Sequence, residues 1–193
     1  MNERNEPDDL SPLVSLVHHR WSIPIIAELH RRRGAKFVTL VNSLDIGRAS
    51  LAASLEDLIA LGLVARNTGH GHPMRPEYLL TERGAAIGPQ CERLVDTVER
   101  HGETDLAFRK WTLPLVAAIG GTPRRFNEIR SLLKPATPRA LTLGLKTLLA
   151  NRWADRSIID AYPPAAAYEL KDRGLDILRC VPRLDQDAPR AAS

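Results

Sequence analysis

The stretch WSIPIIAELHRRRGAKFVTLVNSLDIGRASLAASLEDLIALGLVARNTGHGHPMRPEYLLTERG, residues 21–84, recurs in this chain. A shift of 90 residues lays Trp21 on Trp111, Pro24 on Pro114, and Leu51, Leu55 and Leu58 on Leu141, Leu145 and Leu148. The same shift lays Arg66 on Arg156, Tyr78 on Tyr168, Leu80 on Leu170, Arg83 on Arg173 and Gly84 on Gly174. Phe37 meets Phe126 at a shift of 89, so the second copy has lost one residue from its first inter-helix loop. The period is well above the roughly 20–50 residues of solenoid repeats. It is the size of a small domain. Two copies of one domain are expected, over residues 11–101 and 105–183.

At 193 residues the chain has room for two small domains. Its 44% hydrophobic and 26% charged residues are those of a soluble globular protein. No apolar run approaches the roughly 20 residues of a membrane span. Residues 1–9 are polar and acidic, without the apolar core of a signal peptide. Two cysteines, Cys91 and Cys180, do not make a disulfide framework. They are expected as buried or half-buried thiols, and the compartment as cytoplasmic.

Charge is divided between the halves. Residues 1–99 hold 11 Lys/Arg and 13 Asp/Glu, a net −2, and residues 100–193 hold 16 and 10, a net +6. The second copy is therefore the expected electrostatic anchor for a polyanion.

Local signals give each copy the same order of elements. Ser11 and Pro12 open a short helix. The apolar residues of Trp21 to Arg33 mark a helix that begins at Ser22 or Ile23, because Pro24 fits only near a helix start, and that Gly34 ends. Phe37 to Leu44 and Arg48 to Leu61 are two further helices, the last with Leu51, Leu55, Leu58 and Ile59 as its apolar stripe. Residues 63–66 and 76–80 form a hairpin around a turn-rich loop, and Thr81 N-caps a helix running toward His101. In the second copy helices are expected over residues 107–119, 125–133, 138–150 and 171–181, and strands over 153–158 and 165–170. Pro138 stands at a first helical position. The fold class is mostly α with small two-stranded β-hairpins: two tandem winged helix-turn-helix domains.

The residues carrying this order resemble those of the HxlR family of bacterial winged-helix regulators, near the MarR family. In the first copy they are Trp21, Phe37, Leu51, Leu55, Leu58, residues 62–66 (GLVAR) and residues 76–84 (PEYLLTERG). In the second they are residues 110–113 (KWTL), 125–129 (RFNEI), Leu141, Leu145, Leu148 and residues 168–174 (YELKDRG). The resemblance implies DNA binding, with one helix in the major groove and the wing on the adjacent minor groove or phosphates. Family members usually carry one domain per chain and dimerise through terminal helices, so the fusion implies an intramolecular pseudo-dimer. Some members sense redox signals through an N-terminal Cys-Pro. Ser11-Pro12 stands there, so no thiol switch is implied.

The candidate DNA contacts follow from the polar faces. The first reading helix offers Arg48, Ser50 and Ser54, but its later turns carry Glu56 and Asp57, which repel phosphates. The second offers Thr137, Arg139, Thr142 and Lys146. Arg pairs bidentately with guanine, and Thr and Ser contact bases or phosphates. The first wing offers His72 and Arg75. Arg124 and Arg125 open the helix before the second reader, where a phosphate suits a helix N-terminus. The alternative for each is an ordinary solvated face. Trp21 and Trp111 read mainly as packing residues, with an aromatic-ligand pocket as the functional alternative. His70 and His72 lack a nearby thiol or carboxylate, so no metal site is expected.

No nucleophile–base pair, phosphate loop or cofactor motif is visible, so neither catalysis nor a cofactor is expected. The function expected is sequence-specific regulation of transcription on double-stranded DNA, with a small aromatic compound as the effector if one is used. The chain would act as a pseudo-dimeric monomer or as a homodimer. One alternative is a small-molecule-binding or drug-sequestering protein that has lost DNA binding. Another is a protein-interaction module on the same scaffold.

Overall fold

The computed structural model describes residues 9–67, 77–159 and 165–184. The chain begins with α1 (Ser11–Leu16). The first copy follows as α2 (Ser22–Arg32), β1 (Ala35–Lys36), α3 (Phe37–Leu44), α4 (Arg48–Ala60), β2 (Val64–Asn67), β3 (Glu77–Leu80) and α5 (Glu82–His101). The second comprises α6 (Thr104–Ala107), α7 (Thr112–Ile119), β4 (Arg124–Arg125), α8 (Phe126–Leu132), α9 (Pro138–Ala150), β5 (Ala154–Ile159), β6 (Ala165–Leu170) and α10 (Asp172–Cys180).

Two compact units result. One holds described residues 16–104 and 182–184, and the other 105–181 with the leading segment 9–15. The termini thus group with the opposite copy. Leu10 and Leu13 are buried, and the Asp9 carboxylate accepts the Ser11 N–H at 2.8 Å, so Asp9 caps the short helix, and Ser11, expected as its N-cap, is its first residue. A hydrogen bond from the Ser11 hydroxyl and this one from its N–H, with nearby Lys134, hold the Asp9 carboxyl below its usual value.

Each unit is built on the stripes read from the sequence, except that Ile59, expected in the α4 stripe, is 39% exposed and lies outside the core. In the first, Ile23, Ile25, Ile26 and Leu29 of α2 and Leu51, Leu55 and Leu58 of α4 are at most 1% exposed. Burying each such side chain is worth about 1.5–3 kcal/mol relative to exposure. Pro24 lies in the first turn of α2, where its missing N–H breaks no intrahelical bond. The helix ends at Arg32, and Arg33, one residue before the expected stop Gly34, is its C-cap in a left-handed conformation with φ 56°.

Three expectations need correction. The hairpins are three-stranded sheets, ordered β1-β3-β2 and β4-β6-β5. β1 pairs Ala35 with Tyr78, and β4 pairs Arg124 with Tyr168. Strands of two residues are too short to show an alternating pattern. Secondly, the single helix expected over residues 107–119 is two, α6 and α7. The break makes Trp111 the N-cap residue of α7 and puts Pro114 in its first turn, as Trp21 and Pro24 stand in α2. Thirdly, α9 is Pro138–Ala150 as expected, but the preceding α8 starts at Phe126, because Arg124 and Arg125 are committed to the sheet.

In the first unit α5 lays Ile87, Cys91, Leu94, Val95 and Val98 into the core. Gly88 admits the ring of His30: a Cβ there would stand 2.5 Å from His30 Cδ2. Among the described residues no helix is long and apolar enough to cross a membrane.

Candidate nucleic-acid interface

The two candidate reading helices, α4 and α9, bury the same leucine positions and expose different chemistry. In α9 the core side is Leu141, Leu145 and Leu148. Arg139, Thr142, Leu143 and Lys146 follow at spacings of three, one and three, which places them on one face, and all four are exposed. Thr137 is exposed as the N-cap, and its Oγ1 accepts the Ala140 N–H at 3.2 Å. The Thr142 hydroxyl donates to the Pro138 carbonyl at 2.8 Å, which fixes its methyl and oxygen on the outer side. Two cations therefore stand about two turns apart around a neutral centre.

Leu143, 66% exposed, is missing from the candidates drawn from the polar faces. Its signal is there to be read: it lies opposite the Leu141/Leu145/Leu148 stripe, where an apolar residue has no core to enter. An exposed apolar side chain between Arg139 and Lys146 suits contact with a thymine methyl.

In α4 the positions matching Arg139, Thr142, Leu143 and Lys146 are Ala49, Ala52, Ala53 and Glu56. Arg48 is exposed at the helix start, but its guanidinium carbon lies 5.5 Å from the Phe37 ring centroid of the same unit. Ser50 is exposed. Ser54 departs from expectation. It is 1% exposed, on the core side with Leu51, Leu55 and Leu58, and its hydroxyl donates to the Ser50 carbonyl at 2.8 Å. The repeat carries the reason: Ser54 aligns with Gly144, where a Cβ would stand 2.3 Å from Leu115 Cδ1. The position demands a small residue for helix packing.

Arg125 is exposed and Arg124 half-buried on β4. The Arg125 N–H donates to Glu128 Oε2 at 2.6 Å, so a carboxylate of α8 already occupies the helix start expected to seat a phosphate. Arg124 and Arg125 themselves stay candidates for phosphate contact. His72 and Arg75, with His70, lie outside the described residues. In the second sheet Arg156 and Ser157 of β5 are exposed, as is Ile158 at 76%.

Trp21 and Trp111 are half-buried N-cap residues, each with the preceding cation over its ring: Arg20 at 5.2 Å and Lys110 at 5.7 Å from the centroid. An electrostatic contact of this kind is worth about 0.5–1 kcal/mol at an exposed site.

A helical reader in front of a small antiparallel sheet, with a further helix closing the core, defines a winged helix-turn-helix protein. The model of the HxlR-like helix-turn-helix family matches residues 16–105 and again 107–190, and the chain belongs to that family, in tandem. Among solved structures, the chain is similar to a protein described as a MarR-family transcriptional regulator from Porphyromonas gingivalis W83. The identity is 21%, over 42% of this chain and 78% of that one, with a TM-score of 0.39. It is also similar to the redox regulator HypR in its oxidized form, at 29% identity over 43% of this chain and 86% of that one, with a TM-score of 0.39. No curated protein matches the chain.

Proposed function

We propose that this protein is a DNA-binding regulator of transcription, acting in the cytoplasm, whose second copy makes the main contact with double-stranded DNA through α9. The observation that carries the reading is the exposed Arg139–Thr142–Leu143–Lys146 face on the reading helix of a helix-turn-helix family member. Arg139 is the base reader, Lys146 and Arg125 are phosphate contacts, and Thr137 and Thr142 supply neutral hydrogen bonds. The +6 balance of residues 100–193 adds a sequence-independent attraction. The two copies act as an intramolecular pseudo-dimer on successive major grooves, about 34 Å apart. With unequal readers the preferred site is asymmetric. No catalytic role is assigned.

The test is binding of a duplex taken from upstream of its own gene, followed by fluorescence anisotropy across a salt series. Binding that weakens with a steep logarithmic salt slope, and is tighter than to a scrambled duplex, supports the reading. Equal or absent binding of both duplexes rejects it.

A second reading, response to a small ligand, is favoured by an open cleft of about 630 Å³ in the first unit. It is lined by Leu29, His30, Arg31, Arg33, Leu79, Leu80, Ala85 and Glu92. The second copy has Gly120 and Gly121 where the first has His30 and Arg31, so the fold itself does not require those charges. Aromatic carboxylates are the class to screen, by their effect on the melting temperature of the full chain and of Arg33→Ala. A shift in the wild type that persists in Arg33→Ala rejects this cleft.

A further inference from the structure

His18 and His19 stand in the turn between α1 and α2, and Asp57 in the third turn of α4. One ligand atom from each lies within 4.8 Å of the others. His19 Nε2 is already 3.1 Å from Asp57 Oδ2, and the two imidazole rings meet edge to face at 5.1 Å. We propose that these three side chains form a divalent-metal site, with zinc as the preferred ion, in the first unit.

The donor chemistry supports this. Two imidazoles and one carboxylate are a borderline set that suits zinc, and three protein ligands leave a fourth position open. At zinc–nitrogen distances of about 2.0–2.1 Å, neighbouring donors of a tetrahedron stand about 3.4 Å apart. The His19–Asp57 edge is already close to that length. His18 is exposed, and the side chains of His19 and Asp57 are 34% and 45% exposed, so the remaining approach lies within the reach of side-chain torsions.

The duplicated fold supplies an internal comparison. A shift of 90 puts Phe108, Arg109 and Thr147 at these positions in the second copy. Phe108 is buried there and the Thr147 hydroxyl bonds the Leu143 carbonyl, so the same scaffold stands without any ligand at these places. All three positions differ in the first copy, and all three carry donors. Bound metal ties the turn before α2 to α4, the helix that carries the less basic face.

The test is titration of the chelator-stripped full-length chain with zinc chloride, by calorimetry and by competition with a chromogenic chelator. One equivalent should bind and raise the melting temperature. His19→Ala and Asp57→Asn should each weaken binding by about 10–100-fold or more, since even second-shell losses have that effect. The near-isosteric Asp57→Asn decides the matter if His19→Ala does not fold. The double variant His70→Ala/His72→Ala should bind as the wild type does. No zinc uptake, full uptake in Asp57→Asn, or loss in the His70/His72 variant overturns the proposal.

Discussion

A Cβ on Gly84 would stand 2.0 Å from the carbonyl oxygen of Leu63, the oxygen that accepts the Thr81 N–H at 3.0 Å. Gly174 repeats the relationship with Trp153: 2.2 Å to the carbonyl oxygen, which accepts the Lys171 N–H at 2.9 Å. In both copies the helix after the wing begins against the backbone leading into the wing's first strand, and only a residue without a side chain fits. Gly84→Ala and Gly174→Ala should each destabilise by about 1–3 kcal/mol or more, because the obstacle is backbone rather than a mobile side chain. Gly121→Ala, with nothing within 4 Å, should stay within about 0.5 kcal/mol of the wild type. Chemical denaturation of the three variants measures this. Equal stability of Gly84→Ala and Gly121→Ala would contradict it.

Acid should weaken the first unit through Glu28. Burial raises its carboxyl, but hydrogen bonds from Arg32 and Ser43 outweigh this and hold it below the ordinary value. A folded-state pKa below the unfolded one means stability that is present above about pH 4.3 and lost as pH falls through the folded value. The unfolding free energy of the wild type should therefore drop more between pH 5 and pH 3 than that of Glu28→Gln. The same pH dependence in both proteins would remove Glu28 from the account.

The two thiols should differ. Burial pushes Cys91 up to about 12, so almost no thiolate exists at neutral pH, whereas Cys180 is half-buried. A disulfide-exchange reagent should modify Cys180 first and Cys91 only on unfolding, and Cys180→Ser should show no fast thiol. A fast thiol surviving in Cys180→Ser would show that the core around Cys91 opens readily.

Much of this architecture is legible in the sequence because the chain prints its domain twice. Trp21 and Trp111, the leucine triplets and Gly84 and Gly174 mark the elements by their spacing alone, and Pro138 itself bounds α9. What escapes the sequence is set by tertiary pairing. β1 and β4 have two residues each, and nothing local distinguishes them from loop. Ser54 reads as surface because serine is polar, although its alignment with Gly144 in the core stripe speaks for burial. Leu143 escapes for the opposite reason: an apolar residue on an amphipathic helix ordinarily faces inward. The His18–His19–Asp57 cluster joins positions far apart in sequence, and no spacing motif announces it.

Leu143 should behave as a specificity residue. At 66% exposure its truncation to Ala should leave stability within about 0.5 kcal/mol. If it meets a thymine methyl, the salt slope of DNA binding should be unchanged while the preference between cognate and substituted duplexes falls. A changed slope with unchanged preference would assign it no role in base reading.

The division between the two reading helices is the central claim, and paired substitution tests it most directly. Arg139→Ala and Arg48→Ala should be titrated against the same cognate duplex at the same salt concentrations. Arg139→Ala should lose about 1–3 kcal/mol of binding, close to tenfold or more in affinity. Arg48→Ala, whose guanidinium already lies over Phe37 in its own unit, should lose clearly less. A larger loss in Arg48→Ala than in Arg139→Ala would contradict the account.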